Sequence, residues 1–192
     1  MLTIGKKAPA FSCDAVIEGA IKKISLDDFD GQYKVLFFYP LDFTFVCPTE
    51  LHAFQECLEE FKKRNVAVIG CSIDSAYSHT AWLRTPKQQG GIAGVSYPLL
   101  ADINKAVAKA YGVLDEEQGV ALRGLFIIDT NGVVQCASVN NLPLGRNVQE
   151  VLRLVDALQF SEKNGQVCPA NWQQGHKAMV PNDKGLVDYF AE

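Results

Sequence analysis

Val35-Leu36-Phe37-Phe38-Tyr39-Pro40-Leu41-Asp42-Phe43-Thr44-Phe45-Val46-Cys47-Pro48-Thr49-Glu50 is the stretch that decides the fold. Its first five residues form an unbroken apolar run, the pattern of a buried strand. From Pro48 the pattern changes to that of a helix. Leu51, Phe54, Leu58 and Phe61 fall close to one face, Glu50 stands near the start, and Lys62, Lys63 and Arg64 stand near the end. Proline suits a first helical position, because the N–H it lacks would be unpaired there anyway. Cys47 therefore sits where a strand turns into a helix. The positive end of the helix dipole and nearby backbone N–H donors favour thiolate over thiol at such a place. Thr44, three residues earlier, adds a hydroxyl.

Outward from this stretch, strand-like and helix-like segments alternate. Strands are expected over residues 35–39, 66–73, 125–128 and 133–139, and helices over 48–64, 75–84, 103–111 and 147–160. Asp129-Thr130-Asn131-Gly132 is a hairpin signal in which Asn131 and Gly132 are expected to supply positive φ angles. A βαβ unit followed by a hairpin and a last helix is a thioredoxin-like α/β layout, a mixed central sheet with flanking helices. Residues 161–181, rich in Gly, Pro, Asn and Gln, read as an extended arm, and 183–192 as a short terminal helix. The expected division is a domain over 1–160 and a C-terminal arm over 161–192. No internal repeat or low-complexity tract interrupts it.

Composition bounds the function. The 192 residues are one domain's worth, with 48% hydrophobic and 21% charged residues. A net charge of −4 and no basic cluster beyond Lys62-Lys63-Arg64 argue against nucleic acid as a partner. The longest apolar runs fall short of a membrane span, and the first residues lack the apolar core of a signal peptide. Six cysteines in such a chain suggest a reduced, cytoplasmic protein. None has C-x-x-C spacing and only His52, His79 and His176 accompany them, so no zinc site is expected. Nor is a haem or flavin site visible. Cys13, Cys57, Cys71 and Cys136 read as ordinary core or turn thiols, with Cys57 inside the helix that follows Cys47.

Pro40-x-x-x-Thr44-x-x-Cys47 resembles the active-site motif of the peroxiredoxins. Val167-Cys168-Pro169-Ala170-Asn171-Trp172 resembles the resolving-cysteine segment of the typical two-cysteine class. Arg123-Gly124-Leu125-Phe126-Ile127-Ile128-Asp129 and Asn140-Asn141-Leu142-Pro143-Leu144-Gly145-Arg146 are similar to that class as well, and the resemblance covers essentially the whole chain. It implies a thioredoxin-like fold and a thiol peroxidase acting on hydroperoxides. It gives Cys47 the attacking sulfur, and gives Thr44, Arg123 and the Cys47 backbone N–H the task of steadying charge as it moves onto oxygen. Pro40 would shield the site from water, Glu50 would hold Arg123, and Arg123 would favour the charged sulfur. Cys168 would resolve the Cys47 sulfenic acid as a disulfide between subunits of a homodimer, usually assembled further into a decamer. Thioredoxin or a dedicated flavoprotein reductase would then reduce that disulfide.

Gly90-Gly91-Ile92-Ala93 and Tyr189-Phe190 resemble the loop and tail that mark sensitivity to overoxidation, except that Ala93 stands where the family has glycine. Trp82 reads as packing. Two other functions compete with the peroxidase. A disulfide oxidoreductase on the same fold is opposed by the missing C-x-x-C and by the presence of Thr44 and Arg123. A ring-forming holdase chaperone is compatible as a second role, but leaves Cys47, Thr44 and Arg123 unexplained.

Overall fold

A computed structural model describes residues 4–191. In chain order its elements are β1 (Ser12–Ile17), β2 (Ala20–Ser25), β3 (Tyr33–Phe38), α1 (Val46–Glu56), α2 (Leu58–Lys63), β4 (Val66–Ser72) and α3 (Ala76–Arg84). There follow β5 (Leu99–Ala101), α4 (Ala106–Ala110), β6 (Leu114–Asp115), β7 (Val120–Ala121), β8 (Arg123–Ile128), β9 (Val134–Asn140), α5 (Val148–Asn164) and α6 (Asp183–Phe190). The chain divides into two compact units, Met1–Val148 and Gln149–Glu192.

In the first unit seven strands make one sheet in the order β2-β1-β5-β4-β3-β8-β9, and β6 and β7 pair separately. β3, β4 and β5 run parallel at its centre, while β1, β2, β8 and β9 are antiparallel to their neighbours. This is the mixed sheet of a thioredoxin-like α/β fold. The apolar run of β3 is continuous because both of its faces are covered. Leu36 and Phe38 join Ile69, Cys71, Leu100, Phe126 and, from α4 and the residue that caps it, Val107, Ala108 and Tyr111 in one core cluster. Phe37 points to the other face, where it stacks on Phe54 of α1 with ring centroids 4.2 Å apart and meets Tyr97 at 5.9 Å. Truncating a buried aromatic such as Phe37 typically costs about 3–5 kcal/mol. That packing fixes α1 against the sheet.

Register places the far end of the site. β3 and β8 pair Val35 with Ile127 and Phe37 with Leu125, which brings the start of β8 beside the end of β3. β8 and β9 pair Arg123 with Asn140, and the pairing shifts at Ile127/Ile128, where Cys136 and then Val134 are the partners.

Several expectations are corrected by the structure. The helix expected over 48–64 begins at Val46 and breaks at Cys57, so Cys57 caps two helices instead of lying inside one. Its φ and ψ of −96° and 2° leave the helix, and its carbonyl accepts from both Glu60 and Phe61 N–H. The helix expected over 103–111 shrinks to Ala106–Ala110, because Lys105 turns to φ 62° and the Asp102 carboxylate accepts from Val107 and Ala108 N–H. In the 129–132 turn only Gly132 has positive φ. The Asp129 carboxylate, accepting from Asn131 and Val133 N–H at 2.8 and 2.9 Å, replaces the turn chemistry expected of Asn131. β1, β2 and β5 were not foreseen.

In the second unit α5 runs to Asn164, into the stretch expected as arm, and stops before Gly165 at φ 63°. Beyond it Val167 and Met179 exchange backbone hydrogen bonds, and buried Trp172 packs its ring 4.9 Å from Phe160. The Asn182 side chain accepts from Gly185 N–H to open α6. The expected last helical residue, Glu192, lies outside the described residues. Among those described, no helix is long and apolar enough to cross a membrane, and no cluster of His, Cys, Asp and Glu is able to hold a metal.

Candidate active site

β3 delivers the chain to Tyr39, whose N–H bonds to Cys71 O, and then to buried Pro40. The loop that follows is pinned on one side by Asp42. Its backbone N–H donates to Asp74, and its carboxylate accepts from Tyr39 Oη at 3.0 Å and Ser78 Oγ at 2.7 Å, with His79 Nδ1 at 2.8 Å. Phe43 takes the left-handed φ of 52°, a strained conformation for a bulky residue. The loop then enters α1 at Val46, with Cys47 and Pro48 in its first turn.

Cys47 is fully buried, and as an N-terminal helical residue its N–H has no acceptor within the helix. One turn along, Glu50 gathers two arginines. Arg123 Nη1 donates to Glu50 Oε2 at 2.7 Å and lies 3.5 Å from Cys47 Sγ, while its Nε donates to Leu142 O at 2.6 Å. Arg146 grips both Glu50 oxygens, Nε to Oε1 at 2.7 Å and Nη2 to Oε2 at 2.8 Å. Its backbone N–H adds a third bond at 2.9 Å. The Arg146 Nη1 donates to Phe38 O and Gly124 O, and its guanidinium lies 5.2 Å from the centre of the Phe37 ring. All three charged side chains are at most 4% exposed. Two guanidinium groups share one carboxylate, so the buried cluster carries a surplus positive charge, and Cys47 Sγ is the group beside it able to become its counter-charge.

The residues expected at the site are therefore unevenly placed. Cys47, Glu50 and Arg123 converge, and neither charged residue is a solvated surface group. Thr44 is in the preceding loop, half-buried, with its hydroxyl donating to Leu41 O at 3.0 Å. The residue that flanks the helix start is Phe45, without a side-chain cap, so Thr44 is not the helix cap. Arg146 was assigned no role from the sequence. It follows Leu142-Pro143-Leu144-Gly145, and nothing in that stretch marks it, because its partners Glu50, Phe38 O and Gly124 O lie far away in the chain. Gly145 lets that segment approach, since a Cβ there would stand 3.3 Å from Val46.

Cys168, in the second unit, is half-buried with Sγ 3.4 Å from Ala157 O. Burial raises its pKa and the Arg153 guanidinium opposes the rise. The glycine-rich loop packs beside α1 and α3. His52 Nε2 meets Gly91 O at 3.0 Å, Trp82 Nε1 donates to Gly90 O at 2.8 Å, and Trp82 is indeed buried packing. A Cβ on Gly91 would collide with Thr85 O at 1.9 Å, whereas Ala93 occupies no left-handed conformation and fits as alanine.

A mixed thioredoxin-like sheet that sets a buried thiol at a helix start, beside an arginine cluster, defines a thiol enzyme. The sequence comparisons narrow this. The AhpC/TSA family model matches residues 4–137, and the model for the C-terminal domain of 1-Cys peroxiredoxin matches 157–191. Peroxiredoxin 2 of Drosophila melanogaster is 54% identical over 190 residues, covering 99% of this chain and 98% of its own. A thioredoxin peroxidase of Echinococcus granulosus is 50% identical, covering 98% and 97%. The reduced 2-Cys peroxiredoxin of Plasmodium vivax superposes with a TM-score of 0.95 at 47% identity, with 98% of each chain covered. The chain belongs to the AhpC/TSA family of peroxiredoxins. Its activity is that of a thiol peroxidase.

Proposed function

We propose that Cys47 is the peroxide-reducing thiol and that Cys168 regenerates it. The observation that carries this reading is the Arg123 guanidinium 3.5 Å from Cys47 Sγ, within a buried cluster that needs one more negative charge. The Cys47 thiolate attacks one oxygen of ROOH in line. An S–O bond forms as the O–O bond breaks, and the leaving alkoxide takes a proton to give ROH. Arg123 and the Cys47 N–H are aimed where negative charge shifts from sulfur to oxygen, and Thr44 keeps hydroxyl lone pairs able to accept from the peroxide O–H. Glu50 and Arg146 orient Arg123, and Pro40 screens the sulfur from water.

The Cys168 thiol then attacks the Cys47 sulfenic sulfur, forming a disulfide and releasing water. The reading gives the Cys168 role to the partner subunit of a homodimer. A dithiol reductant of thioredoxin type, or a flavoprotein disulfide reductase, returns both thiols, which suits a reducing, cytoplasmic setting. Assembly of dimers into a decameric ring is supported by Phe43, Phe45 and Tyr77, which are 54%, 92% and 80% exposed on the loop and on the helix that Asp42 ties together. In this reading residues 1–160 are the peroxidase domain and 161–192 the resolving arm.

The test is non-reducing electrophoresis with intact mass after one equivalent of hydrogen peroxide. Wild type is expected to become a covalent dimer, Cys168→Ser to stop at sulfenic or sulfinic acid, and Cys47→Ser to consume no peroxide. Peroxide consumption by Cys47→Ser, or a wild-type disulfide between other cysteines, overturns the assignment.

A further inference from the structure

Lys34 stands at the start of β3, in step with Leu36 and Phe38, whose side chains fill the core. A lysine at such a position is exceptional, because a charged group buried without a partner is costly. Lys34 is 1% exposed, its backbone is paired with Ala67 and Ile128 in the sheet, and no side-chain hydrogen bond or ion pair among the described residues includes its ammonium. No fully buried side-chain nitrogen or oxygen among those residues lacks a partner. The exposed 1% is therefore the ammonium itself. It opens into a cavity of about 510 Å³ whose lining includes Lys7, Asp27, Asp30, Asn131 and Gly132.

We propose that Lys34 is a reactive amine at the floor of this cavity, a modification site for small uncharged aldehydes. Four charged groups act on it. Burial lowers its pKa and outweighs Asp30, Asp129 and Asp27, which favour its ammonium form, while Lys7 opposes that form. None of the carboxylates closes on it. Asp129 is saturated by Asn131 and Val133 N–H and by Gln135 Nε2, while Lys7 Nζ is held by Asn131 O. The amine thus has a lone pair more readily free than that of a surface lysine, and its one exposed edge faces the cavity. Three carboxylates against two ammonium groups also repel an anion, which leaves a neutral electrophile as the favoured guest.

In the reaction the Lys34 nitrogen lone pair forms a C–N bond to the carbonyl carbon, and the C=O π pair moves to oxygen, which is protonated by water. Loss of one water from the carbinolamine gives the imine, so one amine and one aldehyde yield one imine and one water. Neither Cys47 nor its arginines take part.

The experiment uses the full chain with propionaldehyde and limiting cyanoborohydride, which reduces the imine to a stable amine, and maps the products by peptide mass. Rates at Lys34, Lys22, Lys62 and Lys63 are compared at pH 7 and 9, in native protein and in guanidinium. Lys34 is expected to label several-fold faster than the surface lysines at pH 7, to lose that advantage in guanidinium, and to gain less than they do on going to pH 9. Lys34→Met and Lys34→Arg should each lose the fast site while peroxide consumption is unchanged. Labelling of Lys34 no faster than the surface lysines, or slower in native than in unfolded protein, overturns the proposal.

Discussion

Cys47 and Cys71 are the same residue type and equally buried at 0% exposure, one in the first turn of α1 and the other near the end of β4. Cys71 pairs with Phe38 in the β3–β4 register and faces Leu36, Leu100 and Tyr111. Burial, followed by the charges of Asp102 and Cys13, pushes its pKa well above the thiol value of 9.0. Cys47 meets a helix start and a guanidinium instead. Burial alone makes a thiol inert, and buried charge with a helix terminus makes it useful.

The largest expected effect tests the two thiols directly. Cys47→Ser should abolish peroxide consumption, while Cys71→Ser keeps it; equal loss in both would erase the contrast. Next comes the charge beside the sulfur. Arg123→Met should lower kcat/KM by about 10²–10³-fold, the scale of losing one preorganised donor. Glu50 stays paired with Arg146, so Tm should move little. Stability gives the third contrast. Glu50→Gln strands two buried guanidinium groups and should cost about 3–5 kcal/mol in denaturant titration, whereas Cys71→Ala should cost about 1–2 kcal/mol.

The smallest effect is a pH slope. Burial raises Cys13 from 9.0 to about 11, and Cys71 is raised as well. Folded thiols then hold their protons where unfolded ones lose them. This stability is present in full below pH 9 and is lost as pH rises towards 11. Cys13→Ala should flatten that slope in thermal melts from pH 8 to 11.

The two thiols were unequally legible. The apolar run 35–39 read correctly because continuous burial leaves a local mark, and the helix after it was legible from its apolar face, though it starts at Val46, two residues before Pro48. Cys47, Thr44, Glu50 and Arg123 stood out through a family pattern, but the sequence did not reveal that Thr44 would turn to Leu41 O. The break at Cys57 left no mark, since Leu58 and Phe61 continue the apolar face across it. β1 and β2 were missed because Asp14, Lys22 and Lys23 break their apolar pattern towards the edge of the sheet. Arg146 was overlooked because its value comes from Phe38 O, Gly124 O and Glu50, three partners far apart in the chain. Long-range convergence of that kind has no local signature.

The shift in pairing at Ile127/Ile128 has a consequence for how this chain tolerates change in length. β9 skips Gln135 there, so a residue gained or lost around the 129–135 turn leaves Arg123 opposite Asn140. Between Cys136 and Asn140, where the pairing with β8 is continuous, no such slack exists. One residue more within that strand would move the segment carrying Leu142 and Arg146 relative to Arg123 and Glu50, and a single step along a strand turns its side chains to the opposite face. The turn is where such a chain is free to grow. The strand from Cys136 to Asn140 beyond it acts as a ruler.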